Sequence, residues 1–133
     1  MKNLLKLEEL AQALLALAIF NHLPYAWWVL PATFLLPDLS MIGYLAGPRV
    51  GAICYNLAHH KALAVAVGLA GWWLAQPVLL LAGTVLLFHS AFDRLLGYGL
   101  KHATGFQDTH LGRVGKAQPE PAPAHFIHQP TLG

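Results

Sequence analysis

Two aspartates and three histidines stand inside stretches that otherwise read as apolar helix. Asp38 lies in FLLPDLSMIGYLAG, His59 and His60 in CYNLAHHKALAVAVGLAGWW, and His89 and Asp93 in VLLLAGTVLLFHSAFDRLLGYG. A charged group at the centre of a helix in hydrocarbon costs at least ~2.5–3.5 kcal/mol, so such residues face a protein interior or a wet cavity and mark where chemistry happens. His89 and Asp93 are four residues apart and share one helix face, as do Tyr55 and His59, and Asn56 and His60. Imidazoles and carboxylates projecting inward from facing helices are how helical bundles hold metals. This mixture of nitrogen and oxygen donors suits a divalent ion such as zinc, iron or manganese. The expected ligands are Glu8, Asp38, His59, His89 and Asp93, with Tyr55, Asn56 and Ser90 supporting them from behind. His60 points about 100° away from His59 on a helix, so one of the two is expected to ligate, and the pairing with Tyr55 favours His59. The plainer reading is a structural polar layer, with the histidines hydrogen-bonded between helices and Asp93 paired with Arg49, Lys61 or Arg94.

The elements that position these residues are read from hydropathy. The chain has 133 residues, 56% hydrophobic and only 11% charged, against roughly 25% charged in soluble domains. Between Leu10 and Leu100 the only Asp, Glu, Lys or Arg residues are Asp38, Arg49, Lys61, Asp93 and Arg94. So little charge cannot cover a soluble protein of this size, and an integral membrane protein follows. Four apolar segments emerge, at about Leu4–Phe20, Tyr25–Ala46, Val50–Ala75 and Val78–Leu100. Each approaches the ~20 residues that cross a bilayer. Proline or glycine marks every junction, and the short loops make successive helices antiparallel neighbours. The fold class is therefore an all-α, integral membrane four-helix bundle over residues 1–116. Glu8 and Glu9 before the first apolar run, and no small-x-small cleavage site after it, argue for a retained first helix. Pro31 and Pro37 should kink the second helix or open its hydrogen-bond ladder.

Lys2, Lys6, Arg49, Lys101, Arg113 and Lys116 fall at the two termini and the middle loop. The positive-inside rule then puts both termini in the cytoplasm of a multi-pass protein. Trp27 and Trp28, and Trp72 and Trp73, should form one aromatic belt on the opposite side. At ~1.5 Å per residue, Asp38, His59, His89 and Asp93 all lie roughly 10–16 Å from the cytoplasmic ends of their helices, in a single layer.

A second cluster follows the fourth helix: Tyr98, Lys101, His102, Thr104, Asp108, Thr109 and His110. It stands at the mouth of the bundle, either as a lid in which Tyr98, Asp108 and His110 take part in ligand binding or as a solvated turn. The proline-rich residues 117–133, with His125 and His128, read as a disordered tail. A net charge of +2 gives no reason to expect nucleic acid. The single Cys54 allows no intrachain disulfide or thiolate cluster and reads as a packing residue. Phosphate-binding loops and a nucleophile elbow are absent from the sequence.

The strings LKLEEL, PDLSMIGYLAGPRVGAICYN and DRLLGYGLKHATGFQDTHLG resemble a family of small bacterial integral membrane proteins classed as a domain of unknown function. The resemblance covers about Leu5–Lys116 and implies a four-helix protein of the bacterial inner membrane. A looser similarity, of pattern only, links the chain to inner-membrane metal-dependent hydrolases that carry His and Asp motifs on membrane helices near the cytoplasmic face. The expected partners are the lipid bilayer, a lipid-like or small-molecule ligand entering between helices, and a second copy of the chain. The expected function is a metal site working as a hydrolase. The alternative is a small transporter, proton relay or accessory subunit.

Overall fold

The structure, a computed structural model, describes residues 1–115. The expected tail, with His125 and His128, lies outside the described residues. The chain is mostly helical: α1 spans Lys2–Asn21, α2 Val29–Thr33, α3 Pro48–Ala58, α4 Lys61–Trp73 and α5 Pro77–Leu96. A 3₁₀ helix spans Leu36–Ala46 between α2 and α3. Two short strands, β1 (Asp108–Thr109) and β2 (Gly112–Arg113), form an antiparallel hairpin after α5. Two helical stretches are long and apolar enough to cross a membrane, Val29–Ala46 and Pro77–Leu96.

The second segment, expected to kink or open at Pro31 and Pro37, is interrupted there, and the third, expected to be one helix, is interrupted as well. The second segment breaks after Thr33 because Pro37 has no N–H to donate, and its ring would strike the Thr33 carbonyl in an α-helix. Asp38 instead donates its N–H to Leu35, in the 3₁₀ manner, at 3.1 Å. The third segment breaks at His59 and His60, where His60 is extended (φ −86°, ψ 113°). No proline or glycine marks that break. What holds it open is tertiary: the His59 carbonyl accepts a hydrogen bond from Arg94 Nη2 at 3.3 Å. The fourth segment stops at Leu96 rather than Leu100. Gly97 takes a left-handed conformation (φ +100°), and Tyr98 N–H reaches back to the Asp93 carbonyl at 2.8 Å, which closes the helix end.

α5 is the central element, packed against both α1 and α4, while the 3₁₀ helix folds back on α3 as a hairpin. Gly47 (φ +111°, ψ 165°) makes the hairpin turn in a region open essentially to glycine alone. α4 and α5 approach backbone to backbone. A Cβ on Gly83 would lie 2.4 Å from Gly68 N and 2.8 Å from the Ala64 carbonyl oxygen, so position 83 has no space for a side chain.

The interior is unlike that of a soluble domain. Buried positions hold small residues such as Ala13, Ala16, Ala52, Ala64 and Ala91, together with His59, His89, Ser90, Arg94 and Lys101. Large apolar side chains point outward, among them Leu45 at 89%, Trp73 at 81% and Trp27 at 79% exposed. Among the described residues, an apolar cluster packs Phe20, Leu30 and Val85 with Phe88 and Leu81. It ties the α1–α2 corner to the middle of α5.

Candidate metal centre

The two helix breaks build the site. The 3₁₀ turn at Pro37 frees the Phe34 carbonyl from its i+4 partner, and His89 Nδ1 lies 2.6 Å from that oxygen. At the C-terminal end of α3, His59 Nδ1 lies 2.8 Å from the Tyr55 carbonyl. A carbonyl only accepts, so each Nδ1 carries the ring proton. In a neutral ring that leaves the Nε2 lone pair free. The two Nε2 atoms face each other at 3.0 Å. Two lone pairs at that distance repel unless a cation lies between them.

Two carboxylates complete the group. Asp38 Oδ1 lies 3.4 Å from His59 Nε2 and 3.3 Å from His89 Nε2. Asp93 Oδ2 lies 3.6 Å from each. One ligand atom from each of the four residues lies within 4.8 Å of the other three. Donors on a tetrahedron of ~2.0–2.1 Å bonds stand ~3.3 Å apart, and the imidazole–imidazole and imidazole–carboxylate distances here, 3.0 to 3.6 Å, bracket that value. His59 and His89 are 0% and 1% exposed, Asp93 14% and Asp38 30%, so the group is closed on the imidazole side and opens past Asp38. The donor set therefore fits one divalent ion, with zinc, iron or manganese matching its chemistry.

Supporting contacts orient these donors. Tyr55 OH donates to Asp93 Oδ2 at 3.0 Å, and the Tyr55 ring stacks on His59 at 3.8 Å between centroids. Phe34 packs against His89 at 4.9 Å and, edge-on, against Phe88 and Phe92. Ser90 Oγ is buried with no hydrogen-bond partner and does not reach the group.

Glu8 is not part of the site. It is exposed on α1. The next residue, Glu9, turns inward and pairs with Lys61. One residue rotates a helix position by about 100°, and that rotation separates the two glutamates. His60 is likewise exposed, one position beyond His59.

The segment after α5 folds onto α3. Asn56 forms a two-way clasp with Lys101: its Nδ2 donates to the Lys101 carbonyl at 2.8 Å, and its Oδ1 accepts the Lys101 N–H at 2.6 Å. This carries the Lys101 ammonium to 5.0 Å from the Tyr55 ring and 4.0 Å from the Phe106 ring. Burial lowers its pKa from the usual lysine range, and the charge of Asp93 opposes that shift. The sequence shows Lys101 only as one polar residue in a polar string; its burial depends on the clasp. Asp108 stays in the hairpin, 3.6 Å from Arg113, and does not join the four residues. His110 Nδ1 accepts the Leu100 N–H at 2.8 Å. Tyr98 is exposed, and its carbonyl accepts from Arg94 Nη1 at 2.8 Å.

A family model described as a domain of unknown function (DUF4260) matches residues 2–114. No curated protein and no solved structure matches the chain. The match runs through all four residues of the group and through the clasped segment behind it. The chain belongs to the DUF4260 family.

Proposed function

We propose that this chain is a multi-pass protein of the bacterial inner membrane whose Asp38, His59, His89 and Asp93 hold one divalent metal, and that it acts as a metal-dependent hydrolase. The observation that carries the metal is the convergence of two Nε2 lone pairs, each fixed by a backbone carbonyl behind it, with two carboxylate oxygens 3.3 to 3.6 Å from them. Membrane insertion is supported by large apolar side chains outside and small or polar ones inside. Helices that break at a polar site are tolerated in a bilayer where the freed carbonyls are satisfied by protein, as those of Phe34 and His59 are here. Lys2, Lys6, Arg49, Lys101 and Arg113 orient both ends to the cytoplasm.

The hydrolase reading rests on the opening past Asp38. A metal held there by Asp38, His59, His89 and Asp93 would supply Lewis-acid polarisation of a carbonyl or phosphoryl oxygen, or a water of lowered pKa. Asp38, the most exposed ligand, is the one placed to give way to substrate, while the imidazoles stay locked. The test is metal content after purification of the full chain. About one equivalent is expected, falling below a tenth in His89→Ala and Asp93→Asn. Absence of stoichiometric metal in the native chain, or unchanged content in both variants, contradicts the assignment.

One observation favours a second reading. At 3.0 Å the two Nε2 atoms also suit a single shared proton, which would make the group part of a proton relay. That reading expects pH-dependent proton flux in liposomes from metal-free protein, where the metal reading expects none.

A further inference from the structure

A cavity of about 620 Å³ lies at the Lys61 end of α4, between α1, α4, the end of α5 and the β hairpin. Its cationic lining is Lys2, Lys6, Lys61 and Arg94, against Glu9 as the one carboxylate among the described lining residues. Glu9 is already engaged by Lys61. Arg94 is only 9% exposed, and no carboxylate lies within 4 Å of it among the described residues. Its hydrogen bonds go to the Tyr98 and His59 carbonyls, two of the five that a guanidinium can donate. A buried cation held only by carbonyls is costly without an anion.

The rest of the wall is apolar, with Leu5, Ala62, Leu100 and Leu111. The volume falls in the ~300–1,000 Å³ range of pockets that take whole organic ligands, far beyond the needs of a bare anion. We propose that this cavity binds the head and upper chain of a phosphate-bearing amphiphile. The Arg94 fork receives two phosphate oxygens, Lys2 and Lys6 neutralise the remaining charge, and the apolar wall covers the chain. His59 lines this cavity and also belongs to the four-residue group. The cavity and the group thus share His59, whose imidazole is closed off from the cavity side, and binding here does not depend on the proposed metal.

The test is thermal unfolding of the full chain in a maltoside detergent with dodecyl phosphate, dodecylphosphocholine or inorganic phosphate at matched concentration. Dodecyl phosphate is expected to raise the midpoint, and the other two to raise it by less than a third as much. The rise should fall by at least half in Lys2→Gln/Lys6→Gln, whose residues are exposed and leave the fold intact, and also in Arg94→Gln. Chelator treatment should leave the response in place, so the cavity and the metal centre stand or fall separately. An equal response to dodecylphosphocholine overturns the anionic head. An equal response to inorganic phosphate overturns the amphiphile and leaves a site for a soluble phosphate. An undiminished response in Lys2→Gln/Lys6→Gln overturns the cavity itself.

Discussion

The hydroxyl of Tyr55 and the carbonyl of Phe34 orient the side chains of the four-residue group, the first through Asp93 and the second through His89. Tyr55 OH fixes the Asp93 carboxylate, and its carbonyl fixes the His59 tautomer. Removing a partner that orients a ligand costs about 10–100-fold in metal affinity. Tyr55→Phe keeps the ring that stacks on His59, so zinc competition titrations should show a loss in that range with little change in thermal midpoint. Asp38, His59, His89 and Asp93 were each visible in the sequence, because a charge among apolar residues stands out from its neighbours. Glu8 was chosen on the same grounds, and α1 turns Glu9 inward instead. Helix phase on a diluted, weakly amphipathic segment was not readable to one residue. The Lys101 ammonium was not readable either, since it is buried by a clasp from Asn56, 45 positions away.

At the scale of elements, the two breaks were unequally visible. Pro37 announces the first, and the released Phe34 carbonyl is its structural consequence. The second, at His59 and His60, has no local marker and arises from Arg94 bonding to a carbonyl 35 positions earlier. The α4–α5 contact depends on Gly83. Gly83→Val should force the helices apart and destabilise the protein by about 1–3 kcal/mol or more, as overpacking does, which denaturant unfolding measures. The segment after α5 is held by an acid-sensitive bond. His110 must be neutral to accept the Leu100 N–H. Burial first, and then Arg94, lowers its pKa below the usual 6.5. The unfolded chain therefore takes up this proton before the folded one, so the docked segment is fully held above pH 6.5 and loosens as the pH falls below it. Limited proteolysis within 101–113 should accelerate between pH 6.5 and 5, and His110→Gln should flatten that dependence.

For the molecule as a whole, composition pointed to a membrane protein and the fold has the corresponding distribution, with leucine and tryptophan outside and alanine, glycine and histidine inside. A soluble protein with this surface would aggregate. A carbonate wash at high pH should therefore leave the chain in the membrane fraction, and release into the supernatant would contradict insertion. What composition could not convey is the arrangement. Four even hydrophobic stretches suggested four helices, with only the second kinked or opened, at Pro31 and Pro37. The chain instead spends part of two of them on a hairpin and a bend, because that is how donors from the 3₁₀ helix, the end of α3 and α5 reach one point. The central claim is that this point is a metal centre. Anomalous diffraction at the absorption edge of the metal found in the purified protein tests it most directly. A single peak about 2.0–2.2 Å from His59 Nε2, His89 Nε2 and the facing Asp38 and Asp93 oxygens is the expected result. A map with no peak among these four side chains, or with the metal elsewhere in the molecule, would contradict it.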